Sequence, residues 1–358
     1  LGLKASWESI VNFKNLEATK RTEVLSDNAQ WFEDNSPVDA RFKKKECKGV
    51  TAKVITTAIL AGDCYPATPI GINLPNANWI RETYGSKSVT IENITYAYDQ
   101  AAKGNGFKEE FVDCDADREM IEKYGYITDN IHTDLHECLG HGSGQLLPGV
   151  SQDALKAYGA TVEEARADLF GLYYSADPKM VELGLLPTED AYKAEYYTYL
   201  MNGLMTQLVR INLGDQIEEA HMRNRALIAH WVYEKGAADK VVELEKRDGK
   251  TYVRINDYKK LRTLFGDLLA EIQRIKSEGD FEAARKLVEN YGVNIDPELH
   301  KEVKERYAKL NISPYKGFIN PTYQLVEKDG KVVDVKVDYK EGYAEQMLRY
   351  SKMNNNVE

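Results

Sequence analysis

Residues 136–141 read HECLGH, and no other stretch of the chain restricts its folding as strongly. Two histidines and a glutamate suit a metal that works on peptide bonds, provided both imidazoles reach one point. On a regular helix a four-residue step leaves two side chains ~40° apart, whereas the five-residue step from His136 to His141 separates them by about 140°. A helix carrying this sequence therefore brings its histidines together only through one extra residue in the turn, a π-bulge. Gly140, without a side chain, makes that distortion cheap.

A catalytic zinc takes about three protein ligands and keeps a position open. The third ligand must come from another element, and TVEEARAD from Thr161 supplies carboxylates at Glu163, Glu164 and Asp168. Glu164 and Asp168 share a helix face, so one can bind metal while the other accepts the outer N–H of a ligating imidazole. Glu137, beside the first histidine, can take a proton from water and pass it to a leaving amine. Cys138, two residues after His136, points away and reads as a packing residue. His132 and His300 read as satisfied core or surface histidines.

The surrounding pattern predicts mainly α structure with small β-hairpins, an α+β chain. Helices are expected over much of SWESIVNFKNLEATKRTEVLSDNAQWFEDN, up to the break at Asn35, Ser36 and Pro37. They are also expected from Asp129 into HECLGH, from a capping box at Thr161 and Glu164 towards Pro178, and from Tyr192 to about Tyr233. CYPATPIGINLPNANW, residues 64–79, has three prolines and reads as a loop. Asp248-Gly249 and Asp329-Gly330, each between alternating runs, mark two hairpins. Asp280 and Asp296 mark helix starts, the latter with Pro297 in the first helical position.

With 358 residues the chain has room for roughly two domains. A formal charge of −10, with one short basic run at Lys43–Lys45, excludes a nucleic-acid partner. No apolar run approaches the ~18 residues that span a bilayer, which excludes a membrane-embedded chain. Four cysteines without CxxC pairing fit a reducing compartment, so a cytoplasmic location is expected. The 23 tyrosines against nine phenylalanines suggest half-buried rings with hydroxyls in water. The opening LGLKASWESI has no initiator methionine, as in a processed or truncated product.

HECLGHGSGQ from His136, EEARAD from Glu163, GINLPN from Gly71 and EAHMRNR from Glu219 together resemble the dipeptidyl peptidase III family of zinc metallopeptidases, whose signature is HExxGH. The resemblance implies one zinc ion held by His136, His141 and Glu164, with Glu137 as general base and acid. It implies an outer carboxylate at Asp168, where the family often has Glu, and Glu163 beside it. His221 would support the oxyanion and Arg225 would share its helix face near the substrate. Asn73 and Asn76 would receive the N-terminus of a short peptide, from which a dipeptide is released. The family is two-lobed, so residues 1–320 are expected to form a helical, zinc-bearing catalytic lobe. Residues 321–358 are expected to add a hairpin and helix, and most of a β-rich partner lobe is expected to lie outside this chain. A family tyrosine and an acidic residue that assist catalysis would belong to that lobe. The same ligand spacing leaves two other readings open: a different zinc aminopeptidase or endopeptidase, or a metal-bound peptide-binding lobe without activity of its own.

Overall fold

The computed structural model describes residues 8–47, 53–62, 71–74, 87–312 and 319–354. The chain opens on a strand, β1 (Glu8–Lys14), rather than the helix expected there. It pairs antiparallel with β2 (Lys53–Gly62), whose β-branched KVITTAIL favours extended backbone. That partner lies some forty residues away, which a local helix pattern cannot register. Between them, α1 (Leu16–Asp27) starts where the Asn15 side chain accepts from the Ala18 N–H, and α2 (Ala29–Asp34) ends at Asn35. Then β3 (Gly71–Leu74), inside the stretch expected to be a loop, pairs antiparallel with β4 (Lys87–Ile91). β4 runs parallel to β2, closing a four-stranded sheet in the order β1-β2-β4-β3. Helix α3 (Glu92–Ala102) follows, and Ile55, Leu60, Ile91 and Ile94 form a small apolar core in this region.

The larger core is helical. Short α4 (Phe107–Phe111) leads to α5 (Asp115–Leu135), which begins earlier than expected and continues directly into a π-turn over His136–Gly140. α6 (Gly159–Ser175) lies at the centre, packed by α5, the π-turn and later helices. The expected capping box is absent: Thr161 lies inside α6, buried, because the helix starts two residues sooner. After α7 (Lys179–Glu182) come α8 (Tyr192–Leu204) and α9 (Ala220–Lys235), joined by a 3-10 turn over Thr206–Arg210. The two helices nearly touch at Gly203, where a Cβ would stand 2.5 Å from the carbonyl oxygen of Arg225.

The hairpin β5 (Val242–Arg247) and β6 (Lys250–Ile255) turns at Asp248-Gly249, both with positive φ as a type I′ turn requires. Helices α10 (Tyr258–Glu278), α11 (Phe281–Tyr291) and α12 (Pro297–Lys309) follow, and the side chains of Asp280 and Asp296 cap the last two. A second hairpin, β7 (Thr322–Lys328) and β8 (Lys331–Asp338), turns at Asp329-Gly330 and precedes α13 (Tyr343–Asn354). Asn320 bonds both main-chain groups of Leu60, and the Tyr323 hydroxyl donates to the Ala58 carbonyl at 2.7 Å, so this last segment meets β2. The structure is mainly α with small sheets.

Several tyrosines sit deeper than composition suggested. Tyr196 and Tyr197 are buried, and their hydroxyls donate to the carbonyls of Leu172 and Val253 at 2.9 and 3.1 Å instead of to water.

Candidate metal centre

The site forms where the end of α5 meets α6 and the start of α9. The π-turn closes with the His141 N–H donating to the His136 carbonyl at 3.1 Å, the five-residue step that the spacing demands. Gly140 is needed less for backbone freedom than for proximity. A Cβ there would lie 2.8 Å from Ala167 Cα and 3.0 Å from its carbonyl oxygen, so α6 packs directly on the turn.

That contact presents the carboxylates of α6 to both imidazoles. Glu164 Oε2 lies 3.3 Å from His136 Nε2 and 3.9 Å from His141 Nε2. Two ligands at about 2.0–2.1 Å from one ion in tetrahedral arrangement are themselves about 3.3 Å apart, so these spacings fit a shared metal. Glu164 Oε2 is buried and has no hydrogen-bond partner, an arrangement costly for a carboxylate unless a cation completes it. The outer nitrogens are fixed separately: His136 Nδ1 is 2.7 Å from Asp168 Oδ1, and His141 Nδ1 is 2.8 Å from Glu163 Oε1. Asp168 therefore reaches its partner despite being one methylene shorter than Glu.

The electrostatics favour positive charge. Burial opposes a charged His136, but Asp168 and Glu164 outweigh it and hold the ring up to about 10. Burial would raise Glu164 and Asp168, yet the facing histidines keep both carboxyls below their ordinary range, Asp168 far below. Glu163 is likewise held well below, burial being overcome by Arg166 and Lys276.

His221 enters from the first turn of α9. Glu219 caps that helix, accepting from the N–H groups of His221 and Met222, and also meets His221 Nδ1 at 2.7 Å. This leaves His221 Nε2 3.6 Å from Glu164 Oε2, with the side chain 56% exposed. Glu137 stands in the π-turn, half-buried. Arg225 is half-buried on α9, one turn from His221, and has no salt bridge among the described residues. Its charge bears on Asp129 and Tyr199. Asn73 lies in β3, and Asn76 lies outside the described residues. Cys138 is buried in the helical core.

Sequence reasoning missed the network behind the ligands. His132 is buried, with Nδ1 2.7 Å from Glu195 Oε1 and Nε2 3.3 Å from Asp168 Oδ1. Asp168 Oδ2 accepts from the Tyr199 hydroxyl and the Asn224 amide, each at 2.7 Å. Arg166, fully buried, donates to Glu163, to the carbonyls of His141 and Ser143 and to the Ser143 hydroxyl, clamping the loop after the π-turn. One signal was available: His132 precedes His136 by four residues and so shares its helix face.

The sequence pattern of Peptidase family M49 matches residues 1–156 and 150–348. The chain belongs to this peptidase family. Among its relatives, Nudix hydrolase 3 of Arabidopsis thaliana is 26% identical over 333 residues, covering 91% of this chain and 40% of the relative. Dipeptidyl peptidase 3 of Dictyostelium discoideum is 25% identical, covering 81% and 46%, and that of Homo sapiens is 24% identical, covering 96% and 52%. The chain thus spans about half the length of the curated relatives it matches. The solved structure of DPP III from Caldithrix abyssi superposes with a TM-score of 0.68 at 24% identity, over 85% of this chain and 55% of the other. That of dipeptidyl-peptidase III from Corallococcus sp. strain EGB gives 0.67 at 22% identity, over 86% and 55%. The fold is therefore shared with these peptidases. Within this family member the described residues hold a histidine-rich group fit for a metal. No helix among the described residues is long and apolar enough to cross a membrane.

Proposed function

We propose that this chain is the catalytic lobe of a zinc-dependent dipeptidyl peptidase that releases dipeptides from the N-termini of short peptides. The observation that carries the reading is the placement of two imidazole nitrogens 3.3 and 3.9 Å from one unpartnered oxygen of Glu164. His136, His141 and Glu164 would hold the ion, while Asp168 and Glu163 orient the two rings. Bound zinc supplies a Lewis acid that polarises the scissile carbonyl and acidifies water. Glu137 accepts the proton of the attacking water and delivers it to the departing amine. His221 supports the developing oxyanion, and the Glu219 contact fixes its ring beside the site. Asn73 and Asn76 hold the substrate's free amine, and Arg225 meets a substrate carboxylate or carbonyl. In this reading residues 1–320 form the lobe, residues 321–358 are appended to it, a further β-rich lobe of the same protein completes the cleft, and the enzyme works in the cytoplasm.

The test combines zinc content with product length. Glu137→Gln should keep one zinc per chain and lower dipeptide release by about 10²–10⁴-fold, the usual worth of a general base; unchanged turnover refutes its role. Release of single residues, or equal cleavage of an N-acetylated peptide, would instead indicate a plain aminopeptidase or an endopeptidase. The exposure of His221 favours a second reading, in which this lobe binds metal and peptide without turnover. Zinc and peptide binding without dipeptide release by these 358 residues would establish it.

A further inference from the structure

Behind the ligand set lies a second group of buried ionisable side chains, His132, Asp168 and Glu195, each under 9% exposed. The His132 ring stacks on Tyr199, with centroids 5.5 Å apart and planes 20° apart. On another side it abuts Gly171 of α6, where a Cβ would stand 2.9 Å from His132 Cδ2, so no larger residue shares that space. The ring is thus locked with Nδ1 on Glu195 and Nε2 on Asp168, at 2.7 and 3.3 Å.

Asp168 and Glu195 are both buried and both face this one ring, so His132 sets where the Asp168 carboxylate stands. Asp168 Oδ1 in turn receives His136 Nδ1 at 2.7 Å, so a shift of that carboxylate turns the His136 ring. Tyr199 and Asn224 satisfy Oδ2 but bring no charge. The His132 ring lies between Asp168 and Glu195. Both His132 nitrogens face carboxylate oxygens, and both can donate only when the ring carries two protons. Burial works against that charge, but Glu195 and Asp168 prevail and hold His132 up to about 9.

We propose that His132 is a positioning residue for the metal centre: by donating to Glu195 and Asp168 together it holds Asp168 fixed against His136, so that His136 turns Nε2 towards the ion. This inference rests on His136 being a metal ligand, as the preceding subsection reads it.

The test measures zinc affinity by competition with a chromophoric chelator in the wild-type protein, His132→Gln and His132→Leu. Glutamine can donate to one carboxylate but brings no charge, and leucine does neither. Loss of an orienting partner weakens metal affinity about 10–100-fold, so zinc dissociation constants should rise by that factor in His132→Leu and by less in His132→Gln. A merely structural role would lower the melting temperature and leave zinc affinity alone. In parallel, nitrogen-15 spectra of histidine-labelled, metal-free wild-type protein should show both His132 ring nitrogens protonated at pH 7.5, a readout that does not depend on a variant folding. Three results overturn the proposal: a single ring N–H on His132, unchanged zinc affinity in both variants, or a second equivalent of zinc in the wild type that disappears with His132. Wild-type protein without zinc affinity would sink the preceding reading and this one with it, whereas zinc binding indifferent to His132 sinks this one alone.

Discussion

Replacing Gly140 by alanine probes the contact on which the centre is built. The new Cβ would stand 2.8 Å from Ala167 Cα, 3.0 Å from Ala167 Cβ and 3.0 Å from its carbonyl oxygen. Carbon atoms pack comfortably at about 3.5–4.0 Å, so the π-turn and α6 must separate locally by roughly 0.7 Å. The obstacle is backbone, which cannot swing aside as a side chain does. Overpacking of this kind costs about 1–3 kcal/mol, and alanine returns up to about 1 kcal/mol through its helical preference. The net loss of about 0–3 kcal/mol corresponds to a melting temperature lower by up to roughly 6 °C, at about 1–2 °C per kcal/mol for a chain of this length. Metal binding should suffer more. Ala167 adjoins Asp168 and follows Glu164 by three residues, so the displacement carries both carboxylates away from His136. The 2.7 Å bond from His136 to Asp168 would stretch beyond the normal limit of about 3.2 Å. Zinc affinity should fall about 10–100-fold, measured by chelator competition alongside calorimetric melting. Gly159→Ala is the control, because it lies in α6, the helix that packs on the turn, and its Cβ would have no neighbour nearer than 3.8 Å. If Gly140→Ala melted and bound zinc like the wild type, the close approach of α6 would not govern the site.

Arg306, buried between the rings of Phe111 and Tyr252, donates to Glu110 and Glu302 at 2.8 and 2.9 Å and to the Thr251 carbonyl at 2.6 Å, tying α4, β6 and α12 together. Arg306→Met should cost about 3–5 kcal/mol in urea unfolding by leaving two half-buried carboxylates short of a partner, and a loss below 1 kcal/mol would contradict that role. His230 is held below its ordinary value, first by burial, although the nearby Tyr291 carbonyl opposes this. Its unfolded form gains a proton as pH falls through about 6.5 while the folded form resists, so its contribution to stability is present above that pH and lost below it. The wild type should therefore lose more stability than His230→Asn between pH 7.5 and 5.5, and parallel pH profiles would refute the assignment.

What could be read from the sequence was local. The spacing of His136 and His141 requires a widened turn whatever the rest of the chain does, and Asp-Gly turns and aspartate caps act within four residues. The pairing of β1 with β2, the parallel contact of β2 with β4 and the true start of α6 depend on distant partners, which override local pattern. The site divides in the same way. His136, Glu137, His141, Glu163, Glu164 and Asp168 fall in two short motifs and were legible. His132, Glu195, Tyr199 and Asn224 belong to three helices, up to 92 positions apart along the numbering from His132 to Asn224, and are united only by the fold. Gly140 was singled out for its flexibility, whereas the structure uses its missing side chain to admit α6.

X-ray absorption at the zinc edge of the metal-loaded protein tests the central claim most directly. One ion per chain should show two imidazole shells at about 2.0–2.1 Å with the remaining ligands oxygen, as His136, His141 and Glu164 require. A sulfur shell at about 2.3 Å, or fewer than two imidazoles, would contradict the account.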